Sequence, residues 1–136
     1  MYRKIVVPVE MGQLDKGEKI LRKAMALLDE GGSLVLLNVA ENIPGSLTID
    51  LPANFIEQTV ADSEERLKAL AQSVGAPAEI MVRVGSPARE IMAVADEVGA
   101  DLVIIASHRP NFSNYLLGST ADRVVRHATC SVLVDR

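Results

Sequence analysis

The chain has 136 residues, a formal net charge of −4, no tryptophan and few aromatic residues, and 49% of it is apolar. That length suits one domain with a single core, which must be built from Val, Ile, Leu, Ala and Met. The acidic balance excludes a general nucleic-acid surface, which would need a basic stripe, but not one bound nucleotide, which needs only local positive potential.

Met1-Tyr2-Arg3-Lys4 leads straight into a short apolar run, so no secretory leader is expected. Residues 5–9 read as a buried strand, and Pro8 is tolerable only near its end. Residues 15–30 put Ile20, Leu21, Ala24, Leu27 and Leu28 on one helical face, and Gly31-Gly32 is expected to cap that helix. Residues 33–39 hold a second buried strand around Leu34-Val35-Leu36-Leu37. Residues 40–52 are irregular, broken by Pro44-Gly45 and Pro52, and long enough to be a lid, an interface or a mobile segment.

The helical period returns over residues 53–74, with Ile56, Val60, Leu67, Leu70, Ala71 and Val74 on one face. Asp62, Glu64, Glu65, Arg66 and Lys68 read as its solvated face, and Gly75-Ala76-Pro77 stops it. Residues 79–84 are β-rich, with Met81 and Arg83 opposite Ile80, Val82 and Val84, which suggests a sheet edge. Gly85-Ser86-Pro87 is a compact helix start, Ser86 at the N-cap and Pro87 at N1. Ile91, Met92, Ala95 and Val98 give that helix its buried stripe, and Gly99 ends it.

The segment 102–120 is the most informative. Leu102-Val103-Ile104-Ile105-Ala106 is a strand buried on both faces, Ser107-His108-Arg109-Pro110 turns polar, and Gly118-Ser119-Thr120 opens a helix that runs to about His127. Free backbone N–H groups at a helix start, next to glycine, favour a phosphate. A simpler reading has Ser119 as N-cap and Asp122 completing a capping box. A last strand occupies residues 131–134, and the single Cys130 before it excludes an internal disulfide. No run approaches the ~20 apolar residues of a membrane span. A cytoplasmic protein that enters no membrane is expected.

Strands alternating with helices predict a parallel sheet with both faces covered. In the order 3-2-1-4-5 the carboxyl ends of strands 1 and 4 meet where the winding reverses, and ligands of such sheets sit there. The phosphate-type loop falls at that place. No metal cluster, catalytic triad or phosphate-loop lysine is evident in the sequence. A site without a lysine is poorly equipped for fast phosphoryl transfer, and turnover below ~1 s⁻¹ is expected.

The chain resembles the universal stress proteins along its whole length. Their nucleotide-binding members carry Gly, two residues, Gly, nine residues, then Gly followed by Ser or Thr. Here Ala106 and Arg109 stand at the first two glycines, Gly118-Ser119 at the last pair, and the spacer of residues 110–117 is one residue shorter. One branch of the family carries this Ser-His-Arg-Pro form and keeps the Leu-Leu-Gly-Ser end. The opening Lys4-Ile5-Val6-Val7-Pro8-Val9-Glu10 and the tail Arg126-His127-Ala128-Thr129-Cys130-Ser131-Val132-Leu133-Val134 are also similar to the family.

The resemblance implies an α/β fold of the adenine nucleotide α-hydrolase type: a single-domain, doubly wound five-stranded parallel sheet in the order 3-2-1-4-5, with helices on both faces. It implies a stress-response regulator that binds ATP, ADP or AMP, with magnesium held mainly by phosphate oxygens, and at most slow hydrolysis or autophosphorylation. Pro8, Val9 and Val39 would wall the base, and Glu10 stands where an aspartate commonly contacts the nucleotide. Ala106, Ser107, His108, Arg109, Gly118, Ser119 and Thr120 would surround the phosphates. A homodimer would form by antiparallel pairing of Val132-Leu133-Val134 with its copy, with Asp135 and Arg136 near enough to pair across the axis. A nucleotide-free dimeric interaction protein with an unknown protein partner, and a slow phosphotransferase using Ser119 or His108, are the alternatives.

Overall fold

A computed structural model describes residues 1–41, 51–107 and 117–136. The strands are β1 Tyr2–Pro8, β2 Leu28–Ala40, β3 Ala78–Val84, β4 Leu102–Ala106 and β5 Ser131–Asp135, and the helices are α1 Leu14–Leu27, α2 Phe55–Val74, α3 Pro87–Val98 and α4 Ser119–His127. A short 3₁₀ turn, Met11–Gln13, joins β1 to α1. The strands form one parallel sheet in the order β3-β2-β1-β4-β5; the alternation of elements predicts the parallel sheet, and the family resemblance helps to supply the order.

Successive strand residues point to opposite faces, so each central strand feeds two cores. Ile5, Val7, Leu34, Leu36, Leu102 and Ile104 pack under α1 and α2 with Ile20, Leu21, Leu67 and Leu70. Val6, Val35, Leu37, Val103 and Ile105 pack under α3 and α4 with Ile91, Val94, Ala121 and Val124. This explains why the central strands read as continuous apolar runs. Cys130 packs at the edge of the second core, where burial pushes its thiol pKa up and disfavours the reactive thiolate. Among the described residues no helix is long and apolar enough to cross a membrane.

Two boundaries differ from the sequence expectation. The first helix ends at Leu27, not Glu30, and Leu28 is already extended with φ −76° and ψ 133°. Gly31-Gly32 is therefore not a helix cap. It lies inside β2, where the register against β1 jumps from Tyr2–Leu28 to Lys4–Ser33. A Cβ on Gly32 would sit 2.8 Å from the Arg3 carbonyl oxygen, so close backbone approach demands glycine there. At α4 the N-cap is Gly118 rather than Ser119, and no side chain caps the helix. The capping box is absent because Ser119 falls at N1, which moves Asp122 out of the N3 position; Asp122 pairs instead with Arg126 one turn on, at 3.1 Å. Ser86 is the N-cap of α3 as expected, although its side chain makes no capping bond. The α3 stripe is Ala88, Ile91, Val94 and Ala95, with Met92 and Val98 only partly buried.

Asp101 ties β4 to the start of β1, accepting from the Arg3 and Lys4 backbone N–H groups at 2.9 and 3.0 Å. The bond from Arg3, aided by that from Lys4, outweighs desolvation and holds the carboxyl below its ordinary pKa of 3.8. A depressed folded-state pKa contributes stability above the unfolded pKa that is lost as pH falls through the folded one. In Asp101→Asn, stability followed by denaturant melts between about pH 5 and 2 should depend less on pH than in the wild type.

Candidate functional site

Because β2 and β4 lie on either side of β1, the loops leaving β1 and β4 part in opposite directions. A cavity of about 420 Å³ opens at their carboxyl ends, within the size range of small-molecule sites. Pro8, Val9 and Glu10 line it from the end of β1, and Met11, Gln13 and Lys16 from the turn into α1. Leu37, Asn38, Val39 and Ala40 come from β2, Thr59 and Ser63 from α2. Ile105 and Ala106 of β4 and Thr120 and Ala121 of α4 form the opposite wall.

Local packing sets this shape. A Cβ on Gly17 would lie 2.6 Å from Val9 Cγ1, so glycine lets α1 press against the end of β1. The Val9 N–H donates to the Leu37 carbonyl at 2.8 Å, and Asn38 Nδ2 donates to the Val9 carbonyl at 2.9 Å. Both polar groups of Val9 are thus satisfied where β1 leaves the sheet, and the strand end is fixed.

Of the expected site residues, Pro8, Val9, Glu10, Val39, Ala106 and Thr120 come together in this cavity. Ser107, Gly118 and Ser119 do not line it. The Ser107 N–H donates to the Asp135 carbonyl at 2.8 Å and continues the β4–β5 ladder. Gly118 is buried at the N-cap of α4 with φ −62° and ψ 157°, and Ser119 is exposed at the first helical position. His108, Arg109 and residues 110–116 of the spacer lie outside the described residues, as do residues 42–50 of the irregular segment.

Lys16, which the sequence reading did not single out, also lines the cavity. Its helical neighbours are paired: Lys19 and Lys23 with Asp135, Arg22 with Glu18. Lys16 has no such partner among the described residues. Its position on a charged helix gave only the signal of a solvated face. Asn38 and Ser63 were also missed. Asn38 interrupts the apolar run Leu34–Leu37, and a polar residue inside a buried strand is a signal. Ser63 lies four and seven residues before Leu67 and Leu70, on the buried stripe of α2.

Comparison with known proteins agrees with this architecture. The model of the universal stress protein family matches residues 1–136. Universal stress protein G of Shigella flexneri is 37% identical over 145 residues, covering all of both chains. The solved universal stress protein of Archaeoglobus fulgidus in complex with dAMP is 25% identical, with a TM-score of 0.64 over 99% of this chain and 98% of that one. A universal stress protein in complex with cAMP shares the fold at 20% identity, with a TM-score of 0.72 over 99% of this chain and 97% of that one. With a family match that spans every residue and a full-length relative above one-third identity, the chain belongs to the universal stress protein family.

Proposed function

We propose that the cavity at the β1/β4 switch point binds an adenine nucleotide, ATP or its products ADP and AMP. On this reading the protein is a cytoplasmic stress-response regulator that works as a homodimer, through binding rather than rapid catalysis. The cavity itself carries the proposal: it opens at the sheet position where nucleotides bind in doubly wound folds. Its wall of Pro8, Val9, Leu37 and Val39 suits the flat apolar faces of a base. The start of α4, with Thr120 at the cavity, suits the phosphates through unpaired backbone N–H groups. Lys16 is the one basic residue among the described residues that line the cavity. The dAMP complex of the Archaeoglobus fulgidus relative supports the same ligand class. Magnesium would be held mainly by phosphate oxygens and water.

A nucleotide-free interaction module is the second reading. The observation that favours it is the Ser107 N–H, which is committed to Asp135 and so cannot serve a phosphate. Calorimetry with ATP and GTP separates the two. Saturable heat with ATP, and weaker heat with GTP, is the expected outcome. No heat with ATP up to about millimolar concentration, where binding free energy is only ~4 kcal/mol, would leave the interaction module standing.

A further inference from the structure

We propose that the β3 edge of the sheet docks an extended, basic segment of another protein, which adds to the sheet as one more strand and sets an apolar side chain in the groove where β3 ends. The proposal is independent of what the cavity at the switch point binds.

β3 is the outer strand opposite β5 and, among the described residues, pairs only with β2. The Gly85 N–H donates to the Ala40 carbonyl at 2.9 Å, and Ala40 lies opposite Val84 in the register. In a parallel ladder that alternation turns the backbone groups of Glu79, Met81 and Arg83 toward β2, and those of Ile80, Val82 and Val84 outward. The outward N–H and C=O groups form a regular row that another extended backbone matches. β3 runs seven residues in unbroken register and contains neither lysine nor proline, the usual guards of an edge. Arg83 does not screen the row, because it is folded onto Glu97 of α3, with Nη1 donating to Oε1 at 3.3 Å. Ile80 and Val82 pack against the first core and Met81 against the second, so the strand is anchored while its edge stays open.

A second cavity, of about 380 Å³, lies at the carboxyl end of this edge. Val84, the last outward residue, lines it together with Leu51, Pro52, Phe55, Ile56 and Val60. Ile56 is 57% exposed and Val84 37%, and the other large apolar side chains that stand exposed among the described residues are Met1 and Val125. Exposed apolar side chains gathered at one groove mark a binding surface more than scattered ones do. Edge and groove share Val84, so one extended segment uses both. The charges give the sign of the partner. Glu79 is exposed on the strand, Glu41 lines the groove, and Glu90 and Glu97 act on Arg83 from α3. These acids outnumber Arg83, whose charge Glu97 already meets. A basic segment therefore fits, whereas a second copy would bring the same acids with it.

The test is fluorescence anisotropy on the full chain with a labelled, end-blocked peptide of alternating valine and lysine, about eight residues long, with phenylalanine at each end. Wild type should bind it at tens of micromolar, and the same peptide with glutamate for lysine at least about tenfold more weakly. Val132→Pro, which removes an outward donor of β5 instead, should bind the lysine peptide as wild type does. Val82→Pro should bind it at least about tenfold more weakly, because proline there removes an outward donor and spares the ladder to β2. Ile56→Ala changes the groove alone, at an exposed helical position that alanine suits, and should weaken binding about fivefold. No binding to wild type up to about 1 mM overturns the proposal, as does unchanged affinity in both Val82→Pro and Ile56→Ala, or equal affinity for the lysine and glutamate peptides. Loss of binding in Val132→Pro overturns it by moving the peptide to β5. Self-association of Val132→Pro that adding Val82→Pro abolishes overturns it in favour of a second copy.

Discussion

Gly118→Val is expected to weaken ATP binding by at least about a hundredfold, or ~2.7 kcal/mol, while leaving the helical circular dichroism signal in place. The reason is space and not backbone strain. Gly118 has φ −62° and ψ 157°, a conformation open to any L-residue. A side chain there need not disturb the turn into α4. That helix is anchored further along by Ala121 and Val124, both buried in the second core. The first N–H groups of α4 have no intrahelical partner, and a phosphate that uses them must come close to the backbone around Gly118. An isopropyl group at a buried position beside that path takes the room the phosphate needs. Gly118→Ala should show a smaller loss, so the pair gives a graded steric series. Equal affinity for ATP in the valine variant and the wild type would put the phosphates elsewhere in the cavity.

The parallel sheet was legible in the sequence because apolar runs such as Leu102–Ala106 alternate with helical stripes, whereas the strand order came partly from the family resemblance, since spacing alone cannot fix it. Residues 28–32 were not legible. Leu28 continues the helical face of Ile20, Leu21, Ala24 and Leu27, and two glycines after a helical run read locally as a cap. What decides the matter is the close approach of Gly32 to Arg3, a contact that no short window contains. The start of α4 misleads for a related reason: Ser119 and Asp122 have capping-box spacing, but the N-cap is Gly118, which puts Ser119 inside the helix. At the site, topology placed Pro8, Val9, Glu10, Val39 and Ala106 together because strand ends are set by the sheet. Lys16 and Ser63 are set by the rotation of α1 and α2 about their axes. In α2 the charged neighbours of Ser63 masked its place on the buried stripe.

Val132→Pro is expected to convert the protein from dimer to monomer at tens of micromolar, with a modest loss of stability because Val132 packs at the edge of the second core. β5 is an outer strand of the sheet and, among the described residues, pairs only with β4. The register fixes which of its backbone groups are already used. Ile105 is opposite Val134, and the Ser107 N–H bonds the Asp135 carbonyl. In a parallel ladder this alternation turns the N–H and C=O of Leu133 toward β4, and those of Val132 and Val134 outward. Outward groups on a short apolar edge recruit another strand, and a second copy related by a two-fold axis supplies one antiparallel. Proline at Val132 removes an outward donor while sparing the ladder to β4, which is where a sheet tolerates proline. Leu133→Asp is a poorer test, because Leu133 packs on the first core and its loss damages folding as well as assembly. Asp135 is not available for pairing across the axis: burial opposes its ionisation, but hydrogen bonds from Lys23 and Lys19 of α1 outweigh that and hold its pKa down. The dimer should therefore depend little on salt, since the pairing rests on backbone bonds and valine contacts and not on exposed charge. Sedimentation equilibrium at low and high salt decides it: a wild-type monomer at about 50 μM, a concentration at which a dimer of ordinary affinity persists, removes β5 as the dimer edge.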